Sequence, residues 1–288
     1  MFDKVEAFYR PDTIREALRL LQSGKGQTRL VAGGTDLVVE GDSSVRILID
    51  LTLAGLSYIR RGDQVCVIGA TTTMTEIEES DTVRSTLGGL LAQAAATCGS
   101  VQIRNMATVG GNLANASPAA DLATPLLALN AAVVLADQNG RCHVPLPEYL
   151  AGARTRSYKK SLLIEVVIPE PPRGRCGWSF QKLGRTAVDI ALVNVAAGLQ
   201  LDPKGRVRWA RIALGAVAPA PMRAPRAEKL MTGRVLDQLL IAEASEEAAR
   251  EVRPVSDLRA SAEYRREMSR VLTGRALEEC AGAAGWAI

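Results

Sequence analysis

Residues 108–122 read TVGGNLANASPAADL. Gly110 and Gly111 stand together, Asn112 follows at once, and a run of small residues ends on one carboxylate, Asp121. So little side chain lets another group come close to the backbone, and glycine takes positive φ without steric cost. Successive exposed N–H groups make a concave anion site. A helix starting just beyond them adds its positive dipole end. The stretch therefore predicts a loop shaped for something bulky and phosphorylated.

Working outward, VAGGTDL (31–37) repeats the plan: Gly33 and Gly34, then Thr35 and Asp36, then an apolar segment. Thr35, Thr108, Asn112 and Asn115 add hydrogen-bonding groups of small volume. Two such loops facing one another would grip a diphosphate from both sides. Each alone also reads as an ordinary tight turn. Neither is GxGxxG or a GxxxxGKS/T loop, so the Rossmann and P-loop fingerprints are absent. Asp121 has two readings: acceptor for a ribose hydroxyl or ring N–H, or N-cap of the TPLLAL helix.

A chain of 288 residues exceeds a typical single domain and predicts two or three subdomains. Apolar residues make up 47 %, enough for a sizeable core. With 35 basic against 31 acidic residues and no basic tract interleaved with aromatics, nucleic acid is excluded as a partner class. MFDKVEAFYRPDTIREALRLL lacks the phases of a signal peptide. No apolar run approaches the roughly 20 residues of a membrane span, so a soluble, cytoplasmic protein is expected. Cys66, Cys98, Cys142, Cys176 and Cys280 are scattered, with no CxxC. They predict reduced, mostly buried thiols rather than a disulfide framework, a zinc site or a ligated cluster. His143, the only histidine, sits in strand-like RCHVPL without a second ligand or triad partner. No metal ligand and no catalytic side chain is assigned.

Thr13 and Glu16 fit a capping box, Ile14, Ala17, Leu18 and Leu21 form one apolar helix face, and Gly24 and Gly26 end it. TRLVAGG, VRILIDL and QVCVIGA read as strands, TDLVVEG as a helical turn or two. TTTMTEIEES begins a capped helix, and VRSTLGGLLAQAAATCG keeps helical period across Gly88–Gly89. TPLLALNA is a short helix and AAVVLAD a strand turning at Asn139–Gly140 into RCHVPL. SLLIEVVIPEPP is a strand closed by prolines, and Pro169–Pro172 marks a boundary. GWSFQKLG, IALVNVAAGLQL and VRWARIALGAV then form three strands, and the chain is helical from Ala224 onward. Strands followed by helices predict an α+β domain from about Cys176 to Gly285.

On these segments the chain resembles the FAD-binding, medium-size subunits of the molybdenum hydroxylases, the xanthine dehydrogenase and carbon monoxide dehydrogenase group. VAGGTDLVVE, IGATTTMTEIE, IRNMATVGGNLANASPAADLATPLLALNA, KLGRTAVDIALVNVAAGL, GAVAPAPMRAPRAEKLMTG and SDLRASAEYRREM stand in family order across nearly the whole chain. The resemblance implies an α+β fold: a two-lobed FAD-binding domain of the vanillyl-alcohol-oxidase/PCMH type, with lobes over 1–57 and 58–172. A C-terminal domain of three strands plus helices would follow over 173–288. It implies that Ala32, Gly33, Gly34, Thr35 and Asp36 wrap the FAD diphosphate through backbone N–H groups, met from the second lobe by Thr108, Gly110, Gly111 and Asn112. Asp121 matches the family acid at the flavin end or ribityl chain, and Leu163 a position lining the flavin. Lys182, or its neighbour Gln181, matches a polar contact near the ring.

The chemistry would then be the cofactor's. The resemblance implies a small 2Fe-2S subunit and a large molybdopterin subunit as partners, in a dimer of heterotrimers. This chain would pass electrons to NAD, a quinone or oxygen. The cysteine-bearing insertion that holds a further cluster in one branch of the family has no counterpart between QVCVIGA and TVGGN, so no 4Fe-4S cluster is expected here. At 159–163, KKSLL stands where members often carry an acidic pair. Two other readings stay open: a free-standing FAD-dependent oxidoreductase on the same fold, and a nucleotide-binding protein without redox function.

Overall fold

Three sheets, each made from a consecutive stretch of chain, organise the computed structural model, which describes residues 4–24, 27–155 and 157–287. The first stretch runs β1 (Ala7–Tyr9), α1 (Ile14–Ser23), β2 (Thr28–Val31), α2 (Leu37–Glu40) and β3 (Ile47–Asp50). Its strands are parallel in the order β1-β3-β2. Thr13 caps α1 by accepting from the Glu16 N–H. Gly24 forms the C-cap; Gly26, expected to share that role, lies outside the described residues. Ala17 and Leu20 of α1 join Ile49 and Leu51 in a core completed by Leu162 and Ile164 from the next sheet.

The second stretch continues with β4 (Ile59–Arg61), β5 (Val65–Gly69), α3 (Met74–Glu79), α4 (Asp81–Thr86), α5 (Leu90–Ala96), α6 (Val101–Met106), α7 (Val109–Ala114) and α8 (Ala123–Ala128). It closes with β6 (Ala132–Asp137), β7 (Gly140–Pro145), α9 (Leu146–Arg154) and β8 (Leu162–Pro169). The strands form an antiparallel sheet, β4-β5-β8-β6-β7. The hairpin read from Asn139–Gly140 is present, with Asp137 opposite Gly140.

Two expectations need correction. The helix read through Gly88–Gly89 is two helices, α4 and α5, because both glycines are left-handed, at φ +60° and +75°. A Cβ on Gly88 would stand 2.5 Å from Cδ1 of Trp178, so the break also admits an indole. The loop read over TVGGNLA is α7, capped by Thr108, and the loop proper begins only at Asn115. Small residues there serve helix packing as much as turn geometry.

The third stretch runs β9 (Arg175–Leu183), β10 (Val193–Leu201), β11 (Val207–Gly215) and β12 (Met222–Arg223), then α10 (Pro225–Met231), α11 (Gln238–Glu251) and α12 (Ala262–Ala283). The predicted three strands gain a two-residue fourth, β12, at the edge of an antiparallel sheet ordered β12-β11-β10-β9. Every residue of β10 is buried. Val195, Ala197 and Leu199 pack into the core with α11 and α12. Ala196, with Ala213 and Trp178, packs into the core of the second stretch. A sheet covered on both faces reads as a continuous apolar run, which is why alternation was only partial in the sequence.

Candidate functional site

The two glycine loops meet. Gly33 lies against the end of α6: a Cβ there would stand 1.7 Å from the Met106 carbonyl oxygen and 3.1 Å from the Ala107 nitrogen. Beyond it, Asn115 Nδ2 donates to Asp36 Oδ2 at 2.8 Å, tying the end of α7 to the cap of α2. Gly33 therefore lacks a side chain so that two backbones can touch. Gly34 lacks one for its conformation, at φ +69°.

Their backbone donors differ. Among the described residues, no acceptor stands within hydrogen-bond reach of the N–H groups of Gly33, Gly34, Thr35 or Asp36. The left-handed turn at Gly34 leaves this row of donors unused, the arrangement expected of an anion-binding concavity. At α7 the first-turn donors are already committed. Val109 N–H goes to the Thr72 oxygen at 3.0 Å and Gly110 N–H to the Ala70 oxygen at 2.9 Å. Gly111 N–H goes to Thr108 Oγ1 at 3.1 Å, and Asn112 N–H to the Thr108 oxygen at 2.9 Å.

The glycines of α7 thus have reasons other than positive φ, which neither adopts. Gly110 is buried against β5, where a Cβ would stand 2.6 Å from the Ala70 oxygen. Gly111 is exposed, and a Cβ would meet only Thr108 Oγ1, at 3.0 Å, so this face of α7 is open. Asn112 turns its side-chain oxygen to the Leu122 N–H, 3.3 Å away, and so orders the segment before α8.

Asp121 does not cap α8, whose N-cap is Leu122 without a side-chain bond. Its carboxylate instead forms a buried pair with Lys182 Nζ at 2.8 Å, the side chains 9 % and 7 % exposed. Lys182 Nζ also donates to the Thr97 oxygen at 2.8 Å, and Asn194 Nδ2 to Asp121 Oδ1 at 3.4 Å. Thr124 Oγ1 donates to Asn194 Oδ1 at 2.7 Å. Burial raises the Asp121 pKa and prevails over Lys182 and Asn194, which pull it down. The neighbouring Cys98 thiol is pushed up to about 12, first by burial and then by Asp121, with Asp36 contributing in the same sense.

Asp121 and Lys182 are thus brought together, as are Asp36 and the α7 end. Leu163 lies in β8, buried in the second core, one residue before the Ile164 oxygen that receives the Ala70 N–H. Gln181 turns instead to Ser179. The sequence reading passed over Asn194, Cys98 and Thr124. For Asn194 a signal was present: one amide in the otherwise apolar run ALVNVAAGL must find buried partners.

A free row of amide donors, an open helix face opposite and a buried acid–base pair beyond suit a ligand with an anionic centre and a polar heterocyclic end. A family described as the FAD binding domain in molybdopterin dehydrogenase matches residues 2–171, and the CO dehydrogenase flavoprotein C-terminal domain matches 178–280. The chain is 34 % identical to the 6-hydroxypseudooxynicotine dehydrogenase complex subunit alpha of Paenarthrobacter nicotinovorans, covering 96 % of this chain and 93 % of that protein. It is 32 % identical to a xanthine dehydrogenase FAD-binding subunit of Escherichia coli, over 99 % of each. Its structure matches carbon monoxide dehydrogenase from Hydrogenophaga pseudoflava, in a form lacking the Mo-pyranopterin moiety of the molybdenum cofactor. The TM-score is 0.92 at 30 % identity, over 98 % of this chain and 99 % of that one.

Proposed function

The chain belongs to the FAD-binding subunits of the molybdenum hydroxylase family, and from that premise we propose that it holds the FAD diphosphate on the Ala32–Asp36 turn, opposite α7. The observation that carries the reading is the row of unused N–H groups at Gly33, Gly34, Thr35 and Asp36. Gly111 and Asn112 would meet the cofactor from the open face of α7. Thr108 and Gly110 would act indirectly, the first by capping the helix and the second by seating it on β5. Asp121 and Lys182 would face the flavin or ribityl end, with Leu163 in the wall behind. The domain limits that go with this reading are 1–57 and 58–172 for the two FAD lobes and 173–288 for the C-terminal unit.

Bound FAD supplies reversible electron transfer. This chain's own residues bind and orient it. We assign no catalytic acid or base to them. The electrons would come from 2Fe-2S centres of a small partner subunit, themselves fed by a large molybdopterin subunit, and leave to NAD, a quinone or oxygen. The names of the relatives as complex and FAD-binding subunits support an assembly of this kind, which we take to be a cytoplasmic dimer of heterotrimers. Among the described residues no helix is long and apolar enough to cross a membrane. The test is to purify the chain from its native source. Flavin absorption together with iron- and molybdenum-bearing companions is expected. A monomer that reduces a substrate alone would instead favour a free-standing oxidoreductase, and a chain that takes up no flavin would end the reading.

A further inference from the structure

The sequence segments SDLRASAEYRR, GAVAPAP and DIALVNV lie far apart in the chain, yet they meet at one guanidinium. Arg265, on the first turns of α12, has a side chain only 4 % exposed. Its Nη1 donates to the Leu192 oxygen at 2.6 Å and to the Ala216 oxygen at 3.2 Å, and its Nη2 to Asp257 Oδ1 at 2.8 Å. Leu192 closes the turn between β9 and β10, its N–H donating to the Leu183 oxygen at 2.7 Å, one residue beyond Lys182. Ala216 is held in the left-handed region at φ +64°, which costs a residue with a Cβ. Its N–H donates to the Pro118 oxygen at 2.6 Å, three residues before Asp121. Next to it, Gly215 admits Asn194: a Cβ there would stand 2.2 Å from Asn194 Oδ1.

We propose that Arg265 is a positioning residue for the flavin end of the site, acting through the Leu192 and Ala216 turns on Lys182, Asn194 and Asp121. The inference rests on the flavin placement proposed above. Its physical basis is that burying a guanidinium is costly unless its charge is paired and its donors are used. Here Nη1 is used by the carbonyls of the two turns that deliver the C-terminal side of the polar network and Nη2 by Asp257, while Nε is buried without a partner among the described residues. Nη1 alone holds both turns while Nη2 holds Asp257, so the planar fork ties the two turns to a fixed counterion, a two-nitrogen geometry that a lysine ammonium does not reproduce. Asp257, at a more exposed bend, accepts from the Arg259 N–H and from Arg265, and both bonds hold its carboxyl below the ordinary value. It is the counterion that keeps the fork aimed.

The test uses the full chain loaded with FAD. Arg265→Lys and Asp257→Asn are each predicted to weaken FAD binding by about tenfold, the effect of losing one well-placed contact, and to shift the midpoint potential and visible circular dichroism of the bound flavin. In an Asp121→Asn background the same two substitutions are predicted to add no further shift in potential, because they act through that carboxylate. A lowered melting temperature with affinity and potential unchanged would reduce Arg265 to a structural role and overturn the inference. Should Arg265→Lys not fold, Asp257→Asn at its exposed bend decides alone. If Asp121→Asn leaves affinity and potential untouched, the flavin placement itself fails. If it alters them while Arg265→Lys and Asp257→Asn do not, only the present inference falls.

Discussion

Gly33 and Gly34 are adjacent and look interchangeable, yet they lack side chains for different reasons. Alanine at Gly34 has to hold φ +69°, a cost of about 1–2 kcal/mol, and its Cβ would find ordinary van der Waals space beside Val31 and Val38. The variant is expected to fold with a modest loss and to bind FAD weakly, as titration of its fluorescence would record. Alanine at Gly33 would drive a methyl into the Met106 carbonyl and part the two loops, for roughly 2–4 kcal/mol. Chemical denaturation of the apo chain should separate the two. Asp50 sits beside Val31 at the root of the same turn. Burial raises its pKa, but bonds from Thr52 and Arg10 outweigh this, and the carboxyl lies below its ordinary value. A depressed carboxylate stabilises the fold above its unfolded value of 3.8, and that contribution is lost as pH falls through the folded value. Asp50→Asn is therefore expected to cost about 1–2 kcal/mol at neutral pH, with the difference from wild type shrinking in urea melts as pH falls below 3.8 and gone only once pH is below the folded value. The glycine pairs themselves were legible in the sequence. What distinguishes their members, which backbone each one touches, depends on contacts between residues some seventy positions apart, and no local pattern carries that.

The β-strands from TRLV to VRWARIALG were readable because turn residues bracket short, β-type apolar runs. The three-residue strands β1 and β4 were not, being too short to show a period. Helix α7 was misread for a physical reason: Gly-Gly argues against a helix by propensity, and tertiary contacts overrode it. Thr72 and Ala70 accept the first two N–H groups of α7, and Gly110 lets it sit on β5. Gly111 differs from Gly110 in this respect. It is helical and open, so Gly111→Ala should stabilise the apo chain by up to about 1 kcal/mol of helix propensity, less whatever Thr108 Oγ1 at 3.0 Å takes back. The same methyl would intrude on a cofactor lying over α7. A higher apo melting temperature combined with weaker FAD binding is the expected signature. A gain in stability with affinity intact would place the cofactor elsewhere.

At the scale of the molecule, β10 is the shared wall. Its two faces serve two cores, and one of its buried amides, Asn194, reaches Asp121 across the boundary. The change from mixed helices and strands to a C-terminal run of strands followed by helices was visible in the sequence beside the proline cluster at 169–172. The joining of these units into one site was not, since it depends on Lys182, Asn194 and Ala216 all pointing back toward residues 97–124. The resemblance to the FAD-binding subunits supplied Asp121 and Lys182 as separate site residues; only the fold makes them a pair. The measurement that tests the account most directly is residue-resolved amide hydrogen exchange with and without FAD. Slowed exchange at Gly33, Gly34, Thr35 and Asp36, with little change at the already bonded amides of Val109 and Gly110, is the predicted result. Stoichiometric flavin binding with those four amides exchanging as they do in the apo chain would contradict it.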